Sequence, residues 1–559
     1  MPFRGAKMAP LVDRLFGKLL RVFLASARRS RKLAELEFRQ YRKLEARVSG
    51  ITPGSPRAGL FRLFLDEPAI RLSLRANCEY RLIDIHELTA SDRAFLAAHG
   101  LGVEYLSANS SGIWLDRLED SFQLEFVAAG NLQAVCPWTG KRLASNRSFL
   151  YASGQPIYYR FETGERTFYL AVGRDTTGFN KLYMYLAGLD TVIILGDRDW
   201  SWLGRHEIDH LRAYLIRNWS AVCRYLARST APTPCCFVDT RHFAHHIWNA
   251  LTGFQKLATS PYHLERLQKL LITAEPMGPI DGIFPELKGK PIVRAQVRDL
   301  PRLALKDHLF LFRLGGNKLG DQVLQRLYRV ALDNTPGEIV KEAREFGEKY
   351  WPILWVTIRT GNRTWVSQAE GIAAIANRLK HKYPGFALVI DGYCLPQDYP
   401  SPSYEDAAPV LDKERQVIRT IMGRLGSHIP VKVVAGRPIC ESLIYARLID
   451  YYLAHHGAIQ HKIGWFSKKP GVVHSNRTVL SGRPESHIAF WSQENGVPPR
   501  YLDAQWVTDV SGAAERVGSR WQFALDNYDF DHRHAYETLL GLMTAAETGR
   551  APPTRGQSA

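Results

Sequence analysis

DYYLAHHGAIQHKIGWFSKKPGVVHSN, residues 450–476, contains the pattern that decides the fold of this chain. The run YYLAHHG (451–457) has the continuous hydrophobic character of a buried strand, and IQHKIGWFS after it has the pattern of a short helix. A second hydrophobic run, GVVHSN (471–476), then follows. Strand, helix and strand in this order predict two neighbouring parallel strands of an α/β sheet.

The turn between the first strand and the helix carries polar groups suited to an anion. His456 and Gly457 close the strand, and Gln460 and Lys462 lie in the first turns of the helix. Glycine allows a diphosphate to approach the backbone, and the positive end of the helix dipole favours negative charge there. The turn therefore predicts a phosphate-binding site, and the neighbouring turns decide how specific that prediction is.

The same alternation of strands and helices extends on both sides of this stretch. Strand patterns separated by helical patterns run from CCFVD (235–239) to LFLFRLGG (309–316), and again from WPILWVTIR (351–359) onward. The chain is therefore predicted to be an α/β protein with two Rossmann-like domains, 235–345 and 346–535, that face each other across a cleft. Ligands of such sheets bind beyond the carboxyl ends of the strands.

The residues on either side of these two domains differ in character. Short alternating runs rich in Phe, Tyr, Val and Ile predict a β-rich domain with a closing helix over 58–230. The pattern of residues 1–57 predicts a basic amphipathic helical arm, and that of residues 536–559 predicts a C-terminal helix and tail.

Two further strand-to-helix turns carry charged side chains. IRTGNRTW places Arg359 at a strand end, Gly361 in the turn and Arg363 just before a helix. Forked guanidinium donors near a helix N-terminus suit phosphate oxygens, and a pair of solvated loop arginines is the alternative. AGRPICES places Glu441 at a helix start, where its carboxylate either accepts from ribose hydroxyls or complements the helix dipole.

Together with these turns, residues 450–476 resemble the close of the nucleotide-sugar-binding half of GT-B-fold glycosyltransferases, and are similar to family 61-like bacterial polysaccharide glycosyltransferases. The resemblance covers roughly 235–535 and does not reach 60–230. It implies transfer of a sugar from a nucleotide-sugar donor to a glycan or glycolipid acceptor in bacterial surface polysaccharide synthesis. It implies no obligatory metal, and no cofactor besides the donor as co-substrate. The donor-binding residues that it implies are Arg359, Gly361, Arg363, Glu441, His456, Gly457, Gln460 and Lys462.

Such a transfer needs a base that takes the proton of the acceptor hydroxyl, and the first α/β domain offers several. VDTRHFAHHIWN places Asp239 at a strand end and His245 and His246 on the next helix. We expect one of the two histidines ahead of Asp239, because imidazole accepts a proton near neutral pH without large tuning. LGGNKLGD loosely resembles the LGD turn of heptosyltransferases, which would make Asp321 the base instead.

Other interpretations of the same residues remain open. A metal-dependent GT-A-type transferase would hold a divalent cation on paired carboxylates. The pairs available are Asp197 with Asp199 and Asp529 with Asp531. His242 and His246 are four residues apart, but without the Glu of HExxH and a third ligand they do not predict a zinc site. A non-catalytic protein that binds a membrane surface or nucleic acid is the third interpretation.

Composition limits the remaining properties. The chain has 559 residues, of which 45% are hydrophobic and 23% charged, and these values exclude a generally disordered or collagen-like protein. Its seven cysteines are scattered and form no CxxC pair, so they argue against a disulfide framework. We therefore expect a reducing, cytoplasmic compartment.

The positive charge is concentrated at the N-terminus. The net charge is +18, and residues 1–60 alone carry a surplus of ten positive charges. Apolar residues from Leu11 to Leu24 form one stripe of a helix that Lys18 and Arg21 interrupt, so it is too charged to span a membrane. This pattern predicts that the arm attaches the protein peripherally to an anionic membrane, at the inner face of the plasma membrane. The alternative is that the arm packs against the rest of its own protein. Nucleic acid is not expected as a partner, since basic residues would then be spread over the folded domains.

Deletion of residues 1–49 tests the arm. The truncated protein should remain soluble and active on a soluble acceptor, while its affinity for anionic liposomes falls, because the apolar stripe and the local positive charge are both removed. Liposome flotation of the truncated and full-length proteins measures this. Equal binding by the two proteins would contradict the prediction.

Overall fold

The computed structural model describes residues 80–110, 123–164, 166–174, 180–196, 201–202, 204–316, 318–401, 403–482, 495–510 and 525–548. The predicted N-terminal arm lies outside these residues. The chain divides into two compact units. Of the described residues, the first unit takes those up to Asp239, with Ser260–Thr273 and Gly289–Gly315, and the second takes Thr240–Thr259, Ala274–Lys288 and those from Gly316 onward.

A six-stranded sheet forms the N-terminal part of the first unit. Its strands, in the order β1-β8-β7-β6-β5-β4, are β1 (Arg81–Asp84), β4 (Ser148–Phe149), β5 (Ile157–Thr163), β6 (Arg166–Val172), β7 (Lys181–Leu186) and β8 (Thr191–Ile194). Neighbours from β4 to β8 are antiparallel, as expected for hairpins, whereas β1 pairs with β8 in parallel. A separate antiparallel hairpin joins β2 (Leu132–Val135) to β3 (Arg142–Ser145).

A four-stranded parallel sheet completes the first unit. Its strands are β9 (Thr233–Val238), β10 (Lys269–Ile272), β11 (Ile292–Arg294) and β12 (Leu309–Phe312), in the order β11-β10-β9-β12. All three pairings are parallel, and the order reverses between β9 and β12. The chain leaves the first unit shortly after β9, β10 and β12. The units therefore do not follow a single cut near residue 345.

The second unit is built on a six-stranded, wholly parallel sheet. Its strands are β13 (Ile353–Thr357), β14 (Ala387–Asp391), β15 (Val431–Val433), β16 (Tyr451–His455), β17 (Gly471–His474) and β18 (Arg500–Tyr501). The order is β15-β14-β13-β16-β17-β18, which is the strand order of a doubly wound Rossmann sheet. The prediction of an α/β protein with parallel sheets is confirmed. A small antiparallel pair, β19 (Thr508–Val510) and β20 (Asn527–Asp529), lies beyond β18 in the chain.

Helices connect the strands in both units. Those of the first unit are Ala90–Ala98, Val103–Ser107, Gln123–Ala128, His206–Arg217, Trp219–Ala227, Pro261–Arg266 and Leu300–Lys306. Those of the second are Phe243–His245, a π-helical turn at His246–Leu251, Thr252–Ala258, Ile280–Ile283, Asp321–Asp333, Gly337–Lys349, Gln368–Lys382, Ala408–Arg424, Ile439–Ala446, Ala458–Ser467, Arg477–Ser481 and His532–Thr548. No helix among the described residues is long and apolar enough to cross a bilayer.

Continuous burial of the central strands explains their unbroken hydrophobic runs. Every residue of β13, β14, β16 and β17 is buried, as expected where helices cover both faces of a parallel sheet. The packing is tight at Gly471, the first residue of β17. A Cβ atom there would lie 2.4 Å from Cγ of the Tyr452 ring. Because Cγ is held close to the backbone, the ring cannot move aside cheaply.

Substitution of Gly471 tests this packing. Gly471→Ala should lower the free energy of unfolding of the second unit by about 1–3 kcal/mol, the usual cost of overpacking a core. Gly423→Ala is the matched control, because Gly423 lies exposed in the helix Ala408–Arg424 with no atom near its Cβ position. The control should be neutral or slightly stabilising. Calorimetric unfolding of both variants measures the difference, and equal stability would contradict the packing described here.

Candidate functional site

The carboxyl ends of β13 and β16 meet where the strand order of the second sheet reverses. β14 and β15 lie on one side of β13, and β17 and β18 lie on the other side of β16. Connections that leave adjacent strands in opposite directions open a crevice at this edge, and ligands of doubly wound sheets bind there. Arg359 follows β13 and Gly457 follows β16, so two of the predicted turns flank one crevice.

Gly457 lies directly against two guanidinium groups. A Cβ atom at this position would be 3.5 Å from Nη1 of Arg359 and 3.5 Å from Nη1 of Arg363. The backbone of Gly457 has φ 119° and ψ −156°, a conformation that is essentially restricted to glycine. The helix Ala458–Ser467 begins immediately after it. The structure therefore brings together three of the predicted donor-site residues at a helix N-terminus.

The loop after β13 holds Arg359 in place. Nε of Arg359 donates to the carbonyl of Asn362 at 2.7 Å, and Nη2 donates to Asn362 Oδ1 at 2.6 Å. Gln368 bonds both the backbone N–H and the carbonyl of Arg359, at 3.0 and 2.8 Å. These bonds engage one edge of the guanidinium and leave Nη1 on the side of Gly457. Gly361, with φ 122° and open space around it, provides the turn between the two arginines.

The two arginines form an uncompensated positive centre. Among the described residues, no carboxylate lies within ion-pair distance of either guanidinium, and Nε of Arg363 has no hydrogen-bond acceptor. Burial and the charge of Arg363 lower the pKa of Arg359 to about 10, which the nearby Tyr528 partly offsets. Burial also lowers the pKa of Arg363. Two adjacent cations without a counter-ion are costly, so the centre favours an anion.

Neutral aromatic side chains lie close to this centre. His455 Nδ1 bonds Thr357 Oγ1 at 3.0 Å, and His474 Nδ1 bonds the Tyr528 hydroxyl at 2.7 Å. The two imidazole centroids are 4.5 Å apart. Burial lowers the pKa of His474 to about 3 and that of His455 well below its usual value. Both rings are therefore neutral at pH 7, and the positive charge of the site comes from the arginines.

Lys462 points to a different group of side chains. Its amine is fully buried and contacts Asp391 at 2.7 Å, Ser442 Oγ at 2.9 Å and Cys394 Sγ at 3.2 Å. Burial lowers the pKa of this amine, but Asp391 and Cys394 outweigh that effect and leave the pKa above its usual value. The amine is therefore charged and already neutralised by Asp391. This arrangement is that of a structural ion pair.

The remaining predicted donor-site residues occupy ordinary structural positions. Glu441 lies in the first turn of the helix Ile439–Ala446, 3.6 Å from the Arg437 guanidinium. Gln460 is buried beside the hydroxyl of Tyr452. His456 is buried, and its backbone N–H donates to the carbonyl of His474 at 2.9 Å. Their roles in donor binding remain predictions.

The predicted histidines belong to the second unit, with the arginines. The short helix Phe243–His245 lies against the helix Ala458–Ser467 that Gly457 begins. The chain then forms a π-helical turn, a feature that is frequent at functional sites. Surrounding protein, His245 and Arg359 lower the pKa of His242, although its side chain is exposed to solvent. The histidine segment and the arginine centre therefore lie close enough to interact electrostatically.

A hydrogen-bonded chain determines the tautomer of His245. Nδ2 of Asn249 donates to the carbonyl of Gly316 at 3.0 Å, since a carbonyl can only accept. The other end of the amide, Oδ1, then faces Nδ1 of His245 at 2.9 Å. Because Oδ1 is an acceptor, Nδ1 must carry the proton in this contact. Nε2 of the neutral ring consequently keeps a lone pair that can accept a proton.

The other predicted bases are less suited to proton transfer. His246 is buried, and burial lowers its pKa to about 4, an effect that the backbone of Thr240 partly offsets. Asp321 is half-buried at the start of a helix, 2.5 Å from Lys468 Nζ and 3.0 Å from Asn495 Nδ2. The Lys468 and Asn495 contacts lower the pKa of Asp321. His245 is half-buried, and burial lowers its pKa while Asn249 opposes the change.

Asp239 lies in the first unit, at the reversal point of the four-stranded sheet. It accepts from Arg313 through Nε at 2.9 Å and Nη2 at 2.6 Å, and from the Gly154 N–H at 2.7 Å. Ser153 Oγ is a further donor at 3.3 Å. The side chains of Asp239 and Arg313 are 1% and 5% exposed. Both carboxylate oxygens are thus committed to partners, which favours a structural role.

Asp529 and Asp531, one of the two carboxylate pairs proposed for a metal ion, already have partners within the protein. Asp529 Oδ1 accepts from Trp365 Nε1 at 3.1 Å and from Ser367 Oγ at 2.5 Å, and Asp531 pairs with Arg533. Asp197 and Asp199 lie outside the described residues. Within the part of the chain that the structure describes, no group of three or more His, Cys, Asp or Glu side chains is arranged to hold a metal ion.

Comparison with known proteins adds little. No protein-family model matches the chain, and no curated protein matches it. An S. aureus MnaA–UDP structure is 15% identical with a TM-score of 0.18, over 40% of this chain and 62% of that chain. A GtfA/B complex is 9% identical with a TM-score of 0.21, over 72% of this chain and 75% of that chain. The chain thus spans less than two thirds of the MnaA chain. Likenesses at this level carry no argument about function.

The buried pair of Asp239 and Arg313 leads to a prediction about stability. Asp239→Ala should lower the free energy of unfolding of the first unit by about 3–5 kcal/mol, because the Arg313 charge stays buried without its partner. The control is Asp412→Ala, which breaks an exposed pair with Arg415 and should cost well under about 1 kcal/mol. Denaturant unfolding of both variants measures the costs. Similar small costs for both would show that Asp239 does not anchor this sheet edge.

Proposed function

We propose that this protein is a glycosyltransferase that moves a sugar from a nucleotide-sugar donor to a glycan or glycolipid acceptor. The observation that carries the proposal is the positive centre of Arg359 and Arg363 against Gly457. Two cations lie beside a glycine, where no side chain blocks a ligand from the backbone, and a helix begins at the same point. All of these features lie where the strand order of the sheet reverses. Each of these features independently favours a diphosphate, and the reversal point of a doubly wound sheet is where nucleotides bind.

The arginines would act on the leaving group of the reaction. When the bond between the sugar and the diphosphate breaks, negative charge grows on the diphosphate oxygens. Guanidiniums already fixed in place stabilise that charge without reorganising, and this kind of electrostatic stabilisation is usually the largest catalytic contribution. Arg359 is held for this task by Asn362 and Gln368. Two guanidiniums in this position can perform the charge neutralisation for which other transferases use a divalent cation, so we propose a metal-independent reaction.

His245 is the proposed base for the acceptor. Its Nδ1 proton is held by Asn249, and its Nε2 lone pair is the position that can take a hydroxyl proton. His246 is too deeply buried, and its pKa of about 4 makes it a weaker base. Asp239 and Asp321 already accept from a cation. We therefore place His245 first among the candidates and retain Asp321 as the alternative.

The cellular role follows from the sequence rather than from the site. The resemblance to polysaccharide glycosyltransferases and the basic amphipathic arm support a place in bacterial surface polysaccharide synthesis. The arm would hold the enzyme on the inner face of the plasma membrane, where a glycolipid acceptor is found.

Arg359→Ala tests the donor site. The variant should bind nucleoside diphosphates and nucleotide sugars more weakly by about 1.5–3 kcal/mol, roughly 10- to 150-fold in Kd, because a charge-assisted hydrogen bond to phosphate is lost. Titration calorimetry with UDP, GDP, CMP and dTDP sugars measures this, and also identifies the nucleotide. Arg344→Ala, on an exposed helix face, is the control and should bind normally. Unchanged affinity in Arg359→Ala would place the diphosphate elsewhere.

His245→Ala tests the acceptor side. Turnover should fall by about 10²- to 10⁴-fold, the usual contribution of a general base, while donor affinity stays the same. Because the pKa of His245 is lowered, the wild-type rate should rise with pH through a midpoint below about 6.5 and then level off. His263→Ala is the control, since His263 belongs to the first unit and bonds its helix neighbour Ser260. Full turnover in His245→Ala would shift the assignment to Asp321.

A further inference from the structure

A groove on the first unit is lined by four positively charged side chains. It lies between the helices Trp219–Ala227 and Leu300–Lys306 and has a volume of about 350 Å³. The residues that line it are Asn218, Ala221, Arg224, Tyr225, Arg228, Arg302, Leu305 and Lys306. Half of these residues are positively charged, and none is acidic. The groove belongs to a different unit from the positive centre at Gly457.

The charges in this groove are not explained by ion pairing. Across the described ranges, no carboxylate lies within ion-pair distance of Arg224, Arg228, Arg302 or Lys306. Arg147 adds a fifth cation. Its Nη2 donates to the carbonyl of Arg228 at 3.2 Å, its guanidinium lies 5.6 Å from the centre of the Tyr225 ring, and its buried Nη1 has no acceptor among the described residues.

The helix dipole explains the positions of only some of the four positively charged residues. Arg224 and Lys306 lie in the last turns of their helices, where a cation is favourable to the helix dipole. Arg302 lies in the first turn of the helix Leu300–Lys306, where a cation is unfavourable. Arg228 lies beyond the end of its helix. All four side chains are exposed, and within the described residues no acidic partner offsets the mutual repulsion among their charges.

We infer that this groove is a second anion site, which binds a phosphate group. Arginine forks match phosphate oxygens in pairs, and several arginines around one cavity suit a group that carries more than one negative charge. A cavity of about 350 Å³ lies within the size range of small-ligand pockets, and its open form admits a group that projects from a larger molecule. The phosphate belongs either to a lipid headgroup or to a soluble phosphate compound.

The test compares two double variants of the full-length protein. Arg224→Gln with Arg302→Gln removes one charge from each wall of the groove. The matched control, Arg329→Gln with Arg344→Gln, removes two exposed charges from helices of the second unit. Each variant is titrated with inorganic pyrophosphate by calorimetry and floated with vesicles of phosphatidylglycerol and phosphatidylcholine. Arg359 and Arg363 are intact in both variants, so any pyrophosphate that binds there is a shared background.

The outcomes separate the two sources of phosphate. If the groove variant alone loses roughly 10- to 30-fold in vesicle binding but not in pyrophosphate binding, the ligand is a lipid headgroup. Loss of one pyrophosphate binding event with unchanged flotation identifies a soluble phosphate compound, and loss of both identifies a site that accepts either. Equal behaviour of the groove variant and the control in both assays overturns the inference. Unchanged thermal unfolding of the groove variant shows that any loss is not due to misfolding.

Discussion

The contact of two guanidiniums with one glycine is the constraint on which the candidate site depends. Arg359 and Arg363 lie against the end of β16 at Gly457, whose backbone conformation is one that other residues avoid. Like charges at this distance repel, so the surrounding loop must hold them. Asn362 and Gln368 do so for Arg359 through four hydrogen bonds. An anion that bridges both guanidiniums would relieve this repulsion, and the relief would favour its binding.

Local patterns predicted much of this arrangement. The strands of the second sheet follow from continuous hydrophobic runs, and the turn residues Arg359, Arg363 and Gly457 follow from their places between strand and helix. Lys462 could not be assigned in the same way. Its position one turn into a helix gives no information on which way the side chain points, and the deciding partner, Asp391, is 71 residues away. Tyr528 was missed for the same reason, because it reaches the site from the distant strand β20.

The order of the chain, rather than the chemistry of the histidines, is the reason why the histidine segment was assigned to the first α/β domain. The segment 240–259 follows β9 directly, so sequence order suggests that it packs on the first parallel sheet. The structure groups it with the second unit, where Asn249 bonds the carbonyl of Gly316 and Phe254 packs against Phe284. A helix joins the core that buries its apolar face, and that preference can differ from the preference of the preceding strand. Asn249 carried no recognisable sequence signal, since its role depends on that distant carbonyl.

The positive potential of the arginine centre reaches the histidine segment of the second unit. Positive charge from Arg359 and Arg363 contributes to the low pKa of His242, and that imidazole lies next to His245. An anion at the arginines would cancel part of this positive potential and raise the pKa of His242 toward its usual value. His245 lies next to this ring, but its own pKa is lowered by burial and held up by the hydrogen bond to Asn249.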